Sequence, residues 1–319
     1  MVFNMMILYR LDSALKRVNL LVSRVGVSSE LRGWCWDRPP VEPPVHGVYL
    51  PIYELANRYC ESMRDIYLRY VEGVEVKPNV AMVEGRVYHE VVKSVLTLAK
   101  KVVYGLDIVE GFRLLQIMSS RRKSYLNGIL KSCLKPIDAS DVESEVARLK
   151  ARACNLWNYL TLYVSSNLDL VRSRYRTIEL DSLVALAIPH IVEFKVDGTL
   201  LGLSRELSVD VFNPQNVVLE IKTGRRMSFH RFVVGGYALA LESANEVPVN
   251  LGAVMYIHFD QRNLPVVTLN YHFIGDEIRR DFLELRDTAL EIIYNERDPG
   301  LPPKCYKYCV YRDYCRGRR

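Results

Sequence analysis

Apolar residues recur at helical spacing near the start of the chain, at Met6, Leu8, Leu11, Leu15, Val18, Leu21 and Val22. That is the stripe of an amphipathic helix. The stripe ends at LRGWCWDRPPVEPPVHGVYLP, where prolines and glycines exclude regular structure and predict a connector through residue 50. Proline then opens PIYELANRYCESMRDIYLRYVEG, which reads as a single helix with Leu55, Tyr59, Met63, Ile66 and Tyr70 on one face. NVAMVEGRVYHEVVKSVLTLAKKVV predicts the next helix, and two or three more fill 107–170.

The texture changes after residue 170. YRTIELDSLVALAIPHIVEFKVDGTLLGL is rich in β-branched residues and bounded by proline and glycine, so it reads as strands. LSVDVF and NVVLEIKTG are two short strands joined by Asn213-Pro214-Gln215-Asn216. A helix at SFHRFVVGGYALALESA follows, then strands LGAVMYIHFD and PVVTLNYHFI around Gln261-Arg262-Asn263, then a last helix, DEIRRDFLELRDTALEIIYNER. The predicted class is α/β, a mixed sheet flanked by helices. Four segments follow: an N-terminal helix and connector (1–50), a helical region (51–170), the sheet-bearing core (171–298) and a cysteine-rich tail (299–319).

The 319 residues suffice for one large domain or two smaller ones, and 49% hydrophobic with 25% charged residues is the balance of a globular protein. No run of eighteen uncharged apolar residues occurs, so no membrane span is expected. The first helix lacks a basic leader and a cleavage site, which argues against a signal peptide and for a cytoplasmic, reducing compartment. The net charge of +6 suits a polyanionic partner without requiring one. SSRRKSY and RGRR are local basic spots.

Chemistry gathers in LSVDVFNPQNVVLEIKTG. Period-two alternation puts Glu220 and Lys222 on one strand face, and a hairpin brings Asp210 beside them. Two carboxylates are hard ligands for Mg²⁺ or Mn²⁺, and a lysine stabilises charge developing on a phosphate. The same letters also fit a surface salt-bridge pattern. Gly85 and His89 share a helix face; the glycine allows close approach and the histidine offers a nitrogen ligand. Arg225 and Arg226 would hold phosphates, and Tyr237 would reach a bound strand.

Seven cysteines remain to be placed. Cys133 and Cys154 lie in helical patterns and read as buried free thiols. Cys305, Cys309 and Cys315 crowd the tail, which in a reducing compartment points to metal. Their spacing is not a standard zinc-finger one, though zinc stays a rival.

GRVYHE, LSVDVF, LEIKTG and GGYALALE, in that order, resemble the RecB-type nucleases of the PD-(D/E)xK superfamily. With the tail cysteines, residues 51 to 315 resemble the CRISPR-associated Cas-four type exonucleases, and the length and VEFKVDGTLLGLSRELSVD resemble the larger archaeal Csa-one branch. The resemblance implies a restriction-endonuclease-like core in which His89, Asp210 and Glu220 bind Mn²⁺ or Mg²⁺, with the Ile221 carbonyl helping. Lys222 would be the catalytic lysine, and Tyr237 the tyrosine of a Q-x-x-x-Y motif whose glutamine is replaced by Val233; His230 lies one turn further back. It implies that an upstream cysteine joins the three in the tail to hold a [4Fe–4S] rather than a [2Fe–2S] cluster; Cys60 is the choice and Cys35 the reserve. The implied substrate is DNA with single-stranded ends, and the implied partners are the CRISPR integrase subunits of spacer acquisition. A DNA-binding adaptor with little cleavage, and a cluster-gated redox sensor, are the alternatives.

Overall fold

In the computed structural model, residues 7–134, 143–175, 177–307 and 309–317 are described. Met6 and the last two arginines of RGRR lie outside the described residues. The elements run α1 (Ile7–Val25), α2 (Ile52–Ala56), α3 (Arg64–Tyr70), α4 (Val80–Leu106), α5 (Gly111–Cys133), α6 (Glu143–Arg174), α7 (Leu180–Ala187), β1 (Ile191–Val196), β2 (Leu207–Asn213) and β3 (Val217–Thr223). They continue with α8 (His230–Asn245), β4 (Leu251–Phe259), β5 (Pro265–Phe273), α9 (Asp276–Tyr294) and α10 (Arg312–Cys315).

The five strands form one sheet in chain order. Every neighbouring pair is antiparallel except β3 and β4, which are parallel. Parallel neighbours need a crossover, and α8 supplies it. The sheet is mixed, as the sequence pattern predicts. One core packs α4, α5, α6 and α7 against Val211, Ile221, Met255 and Ile257. The other packs α2, α8, α9 and the connector against Val209, Val218, Val254 and Tyr256. The N-terminal helix lays Ala14 and Val18 on Val217 and Leu251, while Leu21 of the expected apolar stripe is exposed.

Three sequence expectations change. The connector is not a loose strap: Leu31, Val41 and Leu50 are fully buried, and it contains two short 3₁₀ turns, Ser29–Leu31 and Gly33–Cys35. Polar clamps from α8 and α9 hold it. Glu242 accepts hydrogen bonds from Arg32, from the Gly33 N–H and from Arg279. Arg286 donates to the carbonyls of Val41 and Glu42. At Gly33 the connector presses so closely on α8 that an added Cβ would stand 2.0 Å from the Leu239 carbonyl oxygen.

The single helix expected from Pro51 is broken into α2 and α3. Arg58 turns back to donate to the Glu54 carbonyl, and Tyr59 packs between Phe229 and Tyr306, with ring centroids at 4.9 and 4.7 Å. These tertiary contacts override helical periodicity across residues 57–63, and Met63 closes the break in the left-handed region at φ 59°. The strand expected through LDSLVALA is helix α7 instead. Its buried Leu183, Val184 and Ala187 follow helical spacing, and the sheet begins only at Ile191, beyond Pro189.

Candidate active site and cysteine pocket

Asp210 is aimed by an irregularity in the ladder. The β1–β2 pairing runs Ile191–Phe212, Val192–Val211, then Phe194–Val209, skipping Glu193 and Asp210. Glu193 stands at φ 50°, a conformation uncommon for a residue with a Cβ. Across this point both strands change face. Val192 and Val211 enter the core under α4–α7, whereas Phe194 and Val209 enter the opposite one. Asp210 sits at the switch. Its Oδ2 accepts a hydrogen bond from the Ile221 N–H at 2.8 Å, and its Oδ1 lies 3.2 Å from Nδ1 of His89 on α4.

The β2–β3 hairpin forms about the predicted turn, with Asn216 in the left-handed region at φ 58°. It brings Glu220 opposite Asp210. Alternation along β3 gives Glu220 and Lys222 a common face, and Lys222 Nζ donates to Glu220 Oε1 at 2.8 Å. Gly85 does not meet another backbone, as a glycine there suggested it would: a Cβ there would lie 3.1 Å from Thr223 Oγ1, a side chain at the end of β3. His89, Asp210, Glu220 and Lys222 therefore meet at one end of the sheet.

The charges are mutually tuned. Burial pushes Glu220 up to about 7, and the Asp210 charge adds to this against the pull of Lys222. Burial also opposes ionisation of Asp210, but His89 and the Ile221 N–H outweigh it and hold Asp210 below the usual carboxylate range. Burial disfavours charge on His89, yet Asp210 and Glu220 raise it above an ordinary histidine. Lys222 is raised in the same way, its burial outweighed by Glu220 and Asp210.

Whether these residues suit a cation turns on the donor set. Glu220 Oε2 is buried and accepts no hydrogen bond, an orphaned acceptor beside a second carboxylate and an imidazole. That chemistry fits a hard divalent ion. The side chains stand as ion pairs, however. Among the described residues no group of three or more His, Cys, Asp or Glu side chains is already gathered as a metal site.

Two members of the site differ from expectation. Tyr237 does not reach outward: it is buried on α8, and its hydroxyl donates to the Ser208 carbonyl on β2 at 2.7 Å. It ties the crossover helix to the strand carrying Asp210, because the buried phenol needs a partner and the β2 backbone supplies one. Asn57 was not foreseen. Its Oδ1 accepts from Lys222 Nζ at 3.4 Å. Only the break after α2 turns it toward the sheet, and no residue pattern announces that break. Val233 is fully buried among apolar neighbours, and His230 is buried with Nδ1 3.1 Å from the Tyr256 hydroxyl.

Cys60, Cys305, Cys309 and Cys315 all line one small cavity, about 20 Å³, with Tyr59, Asp65 and Tyr306 among its walls. All four are free thiols. Burial raises Cys309 and Cys315, and the neighbouring cysteines push in the same direction. Cys35 is elsewhere, its Sγ 3.2 Å from the Ser29 carbonyl and 3.3 Å from Arg38 Nη2. Thiolates are the usual ligands of an iron–sulfur centre, but here the four cysteines border the cavity without being gathered as a metal site: Cys60 Sγ lies 3.7 Å from Ser62 Oγ, and Cys315 interacts with Arg64. A larger cavity of about 400 Å³ is bordered by Asn57, Tyr59, Cys60, Thr223, Arg225, Tyr306 and Cys309.

A mixed sheet with two carboxylates, a lysine and a helix-borne histidine at its end belongs among proteins of hydrolytic phosphate chemistry. The comparisons with known proteins agree on the family. The family described as CRISPR-associated exonuclease Csa1 matches residues 1–318, and this chain belongs to it. A CRISPR-associated exonuclease Csa1 of Saccharolobus solfataricus is 32% identical over 304 residues, covering 94% of this chain and 95% of the relative. Another of the same description, from Thermoproteus tenax, is 28% identical over 312 residues, covering 98% and 100%. No helix among the described residues is long and apolar enough to cross a membrane.

Proposed function

We propose that this chain is a divalent-metal-dependent DNA exonuclease that acts on single-stranded ends and works with the integrase subunits of CRISPR spacer acquisition. The carrying observation is the convergence of His89, Asp210, Glu220 and Lys222, with Glu220 Oε2 left orphaned. The family description and the restriction-endonuclease-like run of strands around a crossover helix support the same reading.

Asp210, Glu220 and His89, with the Ile221 carbonyl, would hold Mn²⁺ or Mg²⁺. Such an ion supplies a Lewis acid for the phosphate and makes a water more acidic. The chain's own residues do the rest. Asp210 stays ionised, and Glu220 is poised to gain or lose a proton near neutral pH. Lys222, steadied by Glu220 and Asn57, presents its ammonium to charge building on the phosphate. Arg225 and Arg226, exposed on the turn after β3, engage neighbouring phosphates. Tyr237 acts from behind as a positioning residue for β2. Cys60 and the three tail cysteines would hold an iron–sulfur cluster, [4Fe–4S] in preference to [2Fe–2S], that fastens the tail to the segment after α2.

Val233 favours a second reading, an adaptor that holds DNA and cuts little, because this turn of α8 presents only an apolar side chain to the core. The deciding assay is cleavage of end-labelled single-stranded and duplex DNA with Mn²⁺ or Mg²⁺, using anaerobically purified protein beside Lys222→Ala. Cleavage that disappears in the variant supports the nuclease. A folded, iron-containing protein that binds DNA without cutting it would overturn the nuclease in favour of the adaptor.

A further inference from the structure

Helix α5 has a one-sided charge that the site does not account for. Its 23 residues include Arg113, Arg121, Arg122, Lys123 and Lys131 and no aspartate or glutamate. Arg113, Arg121, Lys123 and Lys131 are exposed, and among the described residues none of the five forms an ion pair with a carboxylate. Arg122 instead donates to the Asn158 amide oxygen on α6. Between the cations the outer surface carries Gln116, Ser119, Ser120, Ser124 and Asn127, residue types that hydrogen-bond phosphate oxygens. The inner face, with Leu114, Met118, Leu126, Ile129 and Leu130, is spent on the core.

The direction of α5 links it to the site. A short connection from Leu106 to Gly111 turns the chain back, so α5 packs antiparallel to α4. Cys133, at the far end of α5, lies within electrostatic reach of Arg86 and Glu90, which bracket His89 on α4. The Lys131 end is therefore beside the active-site turn of α4. The Arg113 end lies further along by eighteen residues, about 27 Å at the helical rise. That length matches roughly eight base pairs of duplex.

We propose that the outer face of α5 is a docking ridge for the sugar–phosphate backbone of duplex DNA, carrying the double-stranded body of a substrate whose single-stranded end enters the site. The proposal rests on the reading of the chain as a DNA enzyme. Charge complementarity selects the occupant, since a row of unpaired cations and hydroxyls suits a regular polyanion. Contact with phosphates alone gives affinity without sequence preference.

The test uses the full-length protein and two DNAs, a short single strand and the same strand extended into a duplex longer than the ridge. Arg113→Gln, Arg121→Gln, Lys123→Gln and Lys131→Gln are made singly and together, with thermal unfolding as the check on folding. Binding is measured in EDTA across a salt series, and cleavage of the short strand is measured with Mn²⁺. The expected result is weaker binding of the extended duplex, with the log–log salt slope falling by about 0.9 for each phosphate contact removed. Cleavage of the short strand should stay at the wild-type rate. Unchanged duplex affinity and slope in the combined variant would overturn the ridge and leave the face to an acidic protein partner. Equal loss on both DNAs would also overturn it, because the charge would then act only as a general field. Wild-type protein that neither binds nor cuts either DNA would fail the underlying reading, and the ridge with it.

Discussion

Glu242 is the residue whose neutralisation should most damage the fold without touching the active site. Its Oε1 accepts from Arg32 at 2.7 Å, Arg279 at 2.8 Å and the Val249 N–H at 3.0 Å. Its Oε2 accepts from Arg279 at 2.6 Å and the Gly33 N–H at 3.0 Å. In Glu242→Gln, whichever oxygen becomes the amide nitrogen faces at least two donors, and two buried guanidiniums lose the one carboxylate they share among the described residues. Breaking a buried pair from one side costs roughly 3–5 kcal/mol. At roughly 2–4 °C per kcal/mol, the lower figure lowers Tm by about 6–12 °C.

The pH dependence sharpens this test. Burial would raise the Glu242 pKa, but the Arg279 hydrogen bonds and charge, with the Val249 and Gly33 N–H groups, hold it below 4.5. A carboxylate depressed in the folded state contributes stability above its unfolded pKa and loses it as pH falls through the folded value. The gap between wild type and Glu242→Gln should therefore hold from neutral pH to about 5 and narrow below 4.5. Urea unfolding at several pH values reads both effects. A loss below about 1 kcal/mol, or a gap that widens in acid, would refute the reasoning.

Other outcomes can be stated briefly. Cys60→Ala should strip iron from anaerobically prepared protein while Cys35→Ala keeps it; the reverse pattern, read by iron analysis and visible absorbance, would move the fourth ligand to Cys35. Tyr237→Phe should cost about 1 kcal/mol in urea unfolding, the worth of one hydrogen bond, with only a modest fall in kcat, because Tyr237 positions β2 and does not touch substrate. Glu220, near 7 when no metal is bound, is protonated at pH 6. Mn²⁺ binding should then release more protons at pH 6, where both Glu220 and the raised His89 carry one, than at pH 8, seen by calorimetry in buffers of different ionisation heat. By the same linkage the metal-free fold loses stability from Glu220 as pH rises from 4.5 to about 7, since the native state binds the extra proton only in that window.

The legible parts of the sequence were those where local chemistry and tertiary structure agree. Asn213-Pro214-Gln215-Asn216 sits between two apolar runs, so the hairpin placing Asp210 near Glu220 and Lys222 follows from the letters. The helix at α8 and the strands on either side of Asn263 are equally local. What failed was decided at a distance. Helix α2 stops because Tyr59 is held by Phe229 and Tyr306, both far away in sequence. Proline and glycine kept α-helix and strand out of the connector, though not its two short 3₁₀ turns, and its burial depends on Arg279 and Arg286, which read as ordinary charges on an amphipathic helix. Glu193 gave no warning either, since nothing marks a glutamate for a left-handed conformation. The face change around it frees Asp210 from the ladder.

The segment from Asn57 to Cys60 joins two places that the chain makes at very different times. Asn57 touches Lys222, and Cys60 lines a pocket whose other cysteines lie beyond residue 300. A ribosome has produced all five strands before it makes Pro302, Cys305 or Cys309. The sheet can assemble on its early contacts, but the loop that steadies the lysine gains its last wall only afterwards. The turn that carries Asn57 thus gains its last neighbours late in synthesis, after the strands that carry Asp210, Glu220 and Lys222 and after Lys222 has its partner in Glu220.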